Sequence, residues 1–373
     1  MRWDLFCNVV DNLGDIGVSW RLARQLAAEH RAVVRLWADD LATFRRLVPA
    51  LDPGAEVQSL GGIEVRRWVT PFAAVEPADV VVETFGCELP APYVEAMAAR
   101  ARPPVWINLE YLSAEPWVGG CHGLPSPHPR LPLTKFFFFP GFAPGTGGVL
   151  IEKGLAARRL QFQSDTDGVT RFLASLGVPP RAQGEQLISL FCYPQAMVAA
   201  LLDTWATVGH PVRALVFAGT AAADVLAARG LAGRGRASGL AVQVLPFLSQ
   251  DDYDRVLWSC DWNFVRGEDS FVRAQLAARP LVWQAYPQAG NAHRLKVEAF
   301  LTRYLEYAGH VTSANLAMLW AVWNGFAPAD GLAAAWTACT GPEYPELAQR
   351  WQQSLAGPGD LAGNLAKFCA ERL

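Results

Sequence analysis

Lysine is nearly missing from this chain. Of the 32 basic residues only Lys135, Lys153, Lys296 and Lys367 are lysines, so arginine is the default cation and an isolated Arg is background. No basic block stands anywhere in the sequence and the net charge is −3, so nucleic acid is not an expected partner. Paired cysteines are missing too. The seven, at 7, 87, 121, 192, 260, 339 and 369, lie far apart, with no Cys-x-x-Cys and no Cys/His pair at zinc spacing. An odd, scattered set fits reduced thiols in a cytoplasm. There is no long uninterrupted apolar run. The most apolar long window, Leu316 to Trp336, is broken by Asn324, Pro328 and Asp330, which suits buried helices and excludes membrane attachment from the expectation. Asp4 and Asp11 interrupt the apolar start, so no signal peptide is expected. Gly-x-Gly-x-x-Gly and a Walker loop are both absent, as is any internal repeat.

What is present is core-forming material. Hydrophobic residues make up 51% of 373, enough for two domains of ordinary size. Apolar runs predict strands at Trp3–Val10, Ala32–Ala38, Ile63–Trp68, Asp79–Phe85 and Pro104–Leu112. Helices are expected between them, at about Ile16–Glu29, at Leu41–Leu47 and after Pro92. Between Glu115 and Gly148 the alternation breaks in Pro- and Gly-dense sequence, apart from Phe136–Phe139, which reads as a last strand with its rings packed inward. A second alternating set follows, with strands at Leu187–Cys192, Ala214–Ala218, Leu240–Phe247, Trp262–Val265 and Pro280–Ala285. Its helices are expected at Met197–Val208, Ala221–Ala228, Asp251–Ser259 and Ser270–Ala278. Alternation of this kind predicts α/β domains with parallel sheets covered on both faces. The division is expected at residues 1–180 and 181–373, with the last helix, Asp360 to Arg372, able to cross back to the first domain. Two such sheets place a cleft at their carboxyl ends.

The stretch from Arg266 to Ala277 leaves a buried strand, turns on Gly267 and enters a helix. Ser270 stands where that helix is expected to begin. The first N–H groups of a helix lack intrahelical partners and its dipole is positive there, so phosphate is one natural occupant, with Arg266 adding a forked donor. The plain alternative is that Ser270 is an N-cap and the two acids simply favour a helix start. Carboxylates repel phosphate, so Glu268 and Asp269 must face something else, such as a ribose hydroxyl or a cation. The first corner carries Asp11 and Asp15 around Asn12 and Gly14. Asp15 can cap the helix and Asp11 form an Asx turn; alternatively a carboxylate projects from the strand end. Asp15 and Glu268 on opposite domains would suit proton abstraction and cation orientation. Asp165-Thr166-Asp167 has the Asp-x-Asp spacing of metal-dependent glycosyl transfer, but its polar setting reads as a solvated loop. His122 and His128 read as surface residues. Phe191, Tyr193 and Phe247 at strand ends can stack a base or fill a seam between domains.

Four stretches then converge on one family. Phe6 to Arg24 (FCNVVDNLGDIGVSWRLAR), Glu83 to Cys87 (ETFGC), Asn108 to Glu115 (NLEYLSAE) and Arg266 to Ala277 (RGEDSFVRAQLA) closely resemble the EarP family, bacterial protein-arginine rhamnosyltransferases that modify elongation factor P. The likeness runs in order from the first strand to Pro287. It implies a GT-B glycosyltransferase, two Rossmann-like doubly wound domains facing a central cleft. The family takes L-rhamnose from dTDP-β-L-rhamnose and places it, with inversion and without an essential metal or other cofactor, on a guanidinium nitrogen of elongation factor P. The resemblance makes Asp15 the general base, Asp11 its neighbour in the acceptor site and Glu268 the second essential acid. It places Asn12, Leu13, Gly14, Tyr193, Ser249, Gln250, Arg266, Gly267, Asp269 and Ser270 around the donor, with Phe191 and Phe247 near the base. Cys192 departs from the pattern, where Gly is expected. The other readings are a metal-independent GT-B enzyme with a different sugar nucleotide and a glycan or lipid acceptor, and a non-catalytic two-domain binder of a nucleotide or a protein.

Overall fold

The computed structural model describes residues 1–10, 13–194, 197–230, 239–339 and 341–373. In chain order the elements are β1 (Arg2–Cys7), α1 (Leu13–His30), β2 (Val33–Ala38), α2 (Leu41–Leu47), β3 (Val57–Leu60), β4 (Ile63–Arg67), β5 (Val80–Thr84), α3 (Ala91–Ala99), β6 (Val105–Leu109), α4 (Val118–Cys121), β7 (Pro125–Pro127) and β8 (Thr134–Phe138). There follow α5 (Leu155–Ser164), α6 (Thr166–Ser175), β9 (Gln186–Leu190), α7 (Met197–Thr207), β10 (Val212–Phe217), α8 (Ala221–Ala228), β11 (Leu240–Leu245), α9 (Gln250–Ser259), β12 (Trp262–Arg266), α10 (Asp269–Leu276) and β13 (Leu281–Gln284). Five helices close the chain: α11 (His293–Leu305), α12 (His310–Trp323), α13 (Leu332–Ala338), α14 (Glu343–Ser354) and α15 (Leu361–Ala370).

Two compact units result. The first comprises Met1–Lys153 with Leu355–Leu373, and the second Gly154–Ser354. The expected division at 180/181 differs from this one because α5 and α6 pack with the second unit: α5 lies on α9, and Gln163 Nε2 donates to the carbonyls of Trp258 (3.1 Å) and Ala277 (3.2 Å).

The first unit holds a sheet in the order β3-β4-β2-β1-β5-β6-β8-β7. It is parallel from β4 to β8, with antiparallel β3 and β7 at its edges. Neither edge strand was expected; β3 has only four residues and pairs through a Gly61-Gly62 turn, and β7 carries two prolines. Side chains alternate across β1. Trp3, Leu5 and Cys7 join the core beneath α1 and α15, whereas Phe6 packs with Trp37, Val81 and Trp106 on the α3 side, as a pleated strand requires. Helix α15 completes the first of these cores with Leu361, Ala362, Leu365 and Cys369. Its return passes so close to the outgoing chain that a Cβ on Gly148, which has φ +76, would stand 2.0 Å from the Gly359 carbonyl oxygen. Asp360 fastens the join by accepting from Ile151 N–H (2.9 Å) and capping α15 at Gly363 N–H (2.8 Å).

The second unit is a five-stranded, all-parallel sheet, β11-β10-β9-β12-β13. In both sheets the order reverses beside the first strand of the set, between β1 and β5 and between β9 and β12. Ligands of open α/β sheets bind outside the carboxyl ends at such reversals. Phe136–Phe139 forms β8 and its exit; Phe138 and Phe139 are buried while Phe136 and Phe137 remain half-exposed.

Candidate active site

The first corner follows β1. Asp15 lies in the opening turn of α1 and is only 2% exposed. It reaches backward, its Oδ2 accepting the N–H of Val10 at 3.0 Å. Ser19, one turn on, donates to the Asp15 carbonyl (2.8 Å) and lies 3.3 Å from Thr84 Oγ1 at the end of β5. Thr84 in turn donates to the Phe6 carbonyl (2.8 Å). The first turn of α1 is thereby tied to both strands of the reversal. Leu13 and Gly14 precede Asp15 in the same turn and are half-buried. Asp11 and Asn12 fall outside the described residues.

Tyr111 was quoted within a motif but given no role, and the structure brings it to this corner. Its hydroxyl approaches Asp15 Oδ1 at 3.4 Å, and its ring stacks on Phe85 with centroids 4.5 Å apart and planes 20° from parallel. Phe85 has φ +59, a left-handed conformation that a bulky residue rarely adopts. It is held by its N–H on the Leu109 carbonyl (2.7 Å) and by Gly86 N–H on Asn108 Oδ1 (3.2 Å). Asn108 also donates to Glu110 Oε1 at 2.6 Å, and burial pushes the Glu110 carboxyl above its ordinary range. A strained pair of residues after β5 thus presents an aromatic surface beside a buried carboxylate.

The second corner follows β12. Gly267 has φ +66, which lets the chain turn off the strand end. The N-cap is Glu268, not Ser270, and its side chain makes no capping hydrogen bond; Asp269 and Ser270 are the first two helical residues. The reason is the early start of the ladder, with Val272 N–H already bonded to the Glu268 carbonyl at 3.0 Å. Arg266 lies between two rings, its guanidinium carbon 4.6 Å from the Phe191 centroid and 4.4 Å from that of Tyr193. Tyr193 is fixed by its N–H on Gln284 Oε1 (2.7 Å) and meets exposed Tyr286 edge-on at 5.3 Å. Cys192 points the other way and is buried, which pushes its thiol up to about 12. Gln250 opens α9 and reaches Asp269 Oδ2 at 3.4 Å. Ser249 caps α9, accepting from Asp252 N–H at 3.1 Å. Phe247 is 41% exposed.

Several other readings resolve here. Asp165 is exposed in the link between α5 and α6, as expected, and caps α6 through Gly168 N–H at 2.8 Å, with Thr166 and Asp167 opening that helix. His122 is half-buried and accepts Phe139 N–H at 3.0 Å, and burial lowers its pKa. His128 accepts the N–H groups of Arg130 (3.3 Å) and Leu131 (3.0 Å) and shapes a turn. Among the described residues Glu29, His30 and Asp360 bring three ligand-type atoms within 4.8 Å of one another. Glu29 already accepts from Lys153 N–H (2.7 Å) and Gln25 (3.1 Å), so this cluster serves the seam that receives α15.

Asp15 thus stands at the strand reversal of the first unit, and Arg266 beside the α10 start at that of the second. Residues 3–370 match the family described as elongation factor P (EF-P) rhamnosyltransferase EarP. The chain belongs to that family. It is 49% identical to a protein-arginine rhamnosyltransferase of Pseudomonas aeruginosa, over 100% of this chain and 99% of the relative. It also superimposes, with a TM-score of 0.70 and 36% identity, on a solved structure described as the structural basis for EarP-mediated arginine glycosylation of translation elongation factor EF-P; the match covers 100% of this chain and 99% of the other. A more distant likeness, to MurG of Acinetobacter baumannii (TM-score 0.52, 14% identity, 99% of each chain), supports the fold alone. The chain is a glycosyltransferase with the GT-B architecture of two Rossmann-like units. Among the described residues no helix is long and apolar enough to cross a membrane.

Proposed function

We propose that this EarP-family chain transfers L-rhamnose from dTDP-β-L-rhamnose to a guanidinium nitrogen of one arginine of elongation factor P, with inversion at the sugar. What supports the reading is that each unit of a chain of this family carries a fitting group at its strand reversal, Asp15, buried and anchored, in the first and Arg266 beside the α10 start in the second.

The chemistry sets the requirements. A guanidinium has a pKa above ~12 and its nitrogens are poor nucleophiles. Asp15 receives it, localises its charge by hydrogen bonding and accepts a proton from the attacking nitrogen as the C–N bond forms. The bond between the anomeric carbon and the phosphate oxygen breaks, and dTDP leaves with the electron pair. As the sugar becomes oxocarbenium-like, charge grows on the departing diphosphate. Arg266 and the first N–H groups of α10 stabilise that charge without requiring a metal ion. Leu13 and Gly14, in the turn beside Asp15, are proposed to border the donor on the family pattern. Phe191, Tyr193, Phe247 and Gln250 are proposed to hold the nucleoside, and Glu268 to be the second essential acid on the family pattern. Asp11 and Asn12 are proposed as neighbours of Asp15 on the family pattern. All seven cysteines are unbridged and six are buried, which supports a reducing, cytoplasmic setting.

Incubation with elongation factor P and dTDP-β-L-rhamnose, followed by intact-mass measurement, tests this. One added deoxyhexose on the acceptor is the expected result. Donor hydrolysis with an unmodified acceptor would point to another acceptor class, and binding without turnover to a non-catalytic protein.

A further inference from the structure

Helices α9 and α10 meet in a laddered contact. Gln250 reaches Asp269 at 3.4 Å. One turn along both helices, Asp254 grips Arg273 in a buried two-point pair, at 3.0 and 2.6 Å. Between these rungs lies Tyr253. Its ring packs on Phe217 and Phe191, with centroids at 5.2 and 6.0 Å. Its hydroxyl is enclosed and makes no hydrogen bond. The side chain placed to bond that oxygen is Ser270, the second residue of α10.

A buried hydroxyl left without a partner is destabilising, and such a group in a folded protein calls for an explanation. Burial raises the phenol far above neutral pH, so at neutral pH Tyr253 is a donor. Ser270 Oγ belongs to a hydroxyl that can rotate, in the first turn of a helix where an anion is favoured.

We propose that Tyr253 is a positioning residue for a nucleoside diphosphate seated at the start of α10. It acts through Ser270: when a phosphate oxygen arrives, the Ser270 hydroxyl turns to donate to it, and Ser270 Oγ accepts the Tyr253 O–H. No proton changes owner; two hydrogen bonds form in a chain whose members polarise one another. The inference rests on the donor site proposed above and adds a residue outside it.

Calorimetric titration of dTDP and of thymidine into wild type, Tyr253→Phe, Ser270→Ala and the double variant tests this, with urea unfolding of each ligand-free chain. Tyr253→Phe is expected to weaken dTDP about 3- to 10-fold, equivalent to less than ~1.4 kcal/mol, and to leave thymidine binding unchanged. The ligand-free chain should be as stable as wild type or more so, because a hydroxyl without a partner has been removed. In the Ser270→Ala background the change should have no further effect. Unchanged dTDP binding, equal loss for thymidine, additive losses in the double variant, or a destabilised ligand-free chain would each overturn the proposal. Failure of the wild type to bind dTDP would overturn the donor site itself.

Discussion

The corners after β1 and after β12 are built alike and charged oppositely. Each leaves a strand beside the point where its sheet reverses, turns, and enters a helix. In the first, Asp15 in the opening turn of α1 accepts the N–H of Val10 in the preceding loop. In the second, Glu268 does not cap α10, Asp269 is drawn toward Gln250, and Arg266 stands alongside between Phe191 and Tyr193. One backbone device therefore serves two charges. Where a protein carboxylate fills the opening turn, the corner suits a cation; where an arginine flanks it, the corner suits an anion.

The sharpest way to break this contrast is to neutralise the first corner. Asp15→Asn keeps the shape and the Val10 contact but removes the base. The turnover number should fall by about 10²–10⁴-fold, with dTDP affinity unchanged by calorimetry. Near-normal turnover would show that the proton goes elsewhere. Next, Arg266→Ala should weaken dTDP binding by about 10- to 100-fold, the range for a lost charge-assisted pair. Arg266→Lys should recover only part of it, since an ammonium cannot stack as a plane between the two rings. Equal affinity in all three proteins would mean that the clamped arginine only packs. The smallest effect is expected from Tyr111→Phe. It keeps the stack on Phe85 and loses the long contact to Asp15, so turnover should drop about 2- to 5-fold, in keeping with the loss of one weak hydrogen bond. Donor affinity should not move; a shift in dTDP binding would detach Tyr111 from the acceptor corner.

Much of the fold was legible because apolar runs and helical spacing carry it. The helices Leu41–Leu47 and Ala221–Ala228 are found with the limits expected, and each long buried strand lies within a residue or a few of its predicted span. The edge strands were illegible for a physical reason: β3 and β7 are short, half-exposed and carry no apolar run. The cap of α10 was misassigned because a hydroxyl is the usual sign of a helix start, whereas here φ +66 at Gly267 lets the helix begin two residues earlier. The site was legible where long motifs name residues in one segment. Tyr111, Phe85 and Tyr253 were not assigned, because their parts depend on contacts between residues 96, 26 and 17 positions apart, which spacing along the chain does not reveal.

The passage of the chain out of the first unit at residue 153 and back at 355 has a consequence for biosynthesis. Helix α1 is made near the amino terminus, yet the hydrophobic floor beneath it is not finished until Leu361, Leu365 and Cys369 have left the ribosome. A nascent chain carrying Asp15 therefore keeps the core of its first unit open while all of Gly154–Ser354 is being made.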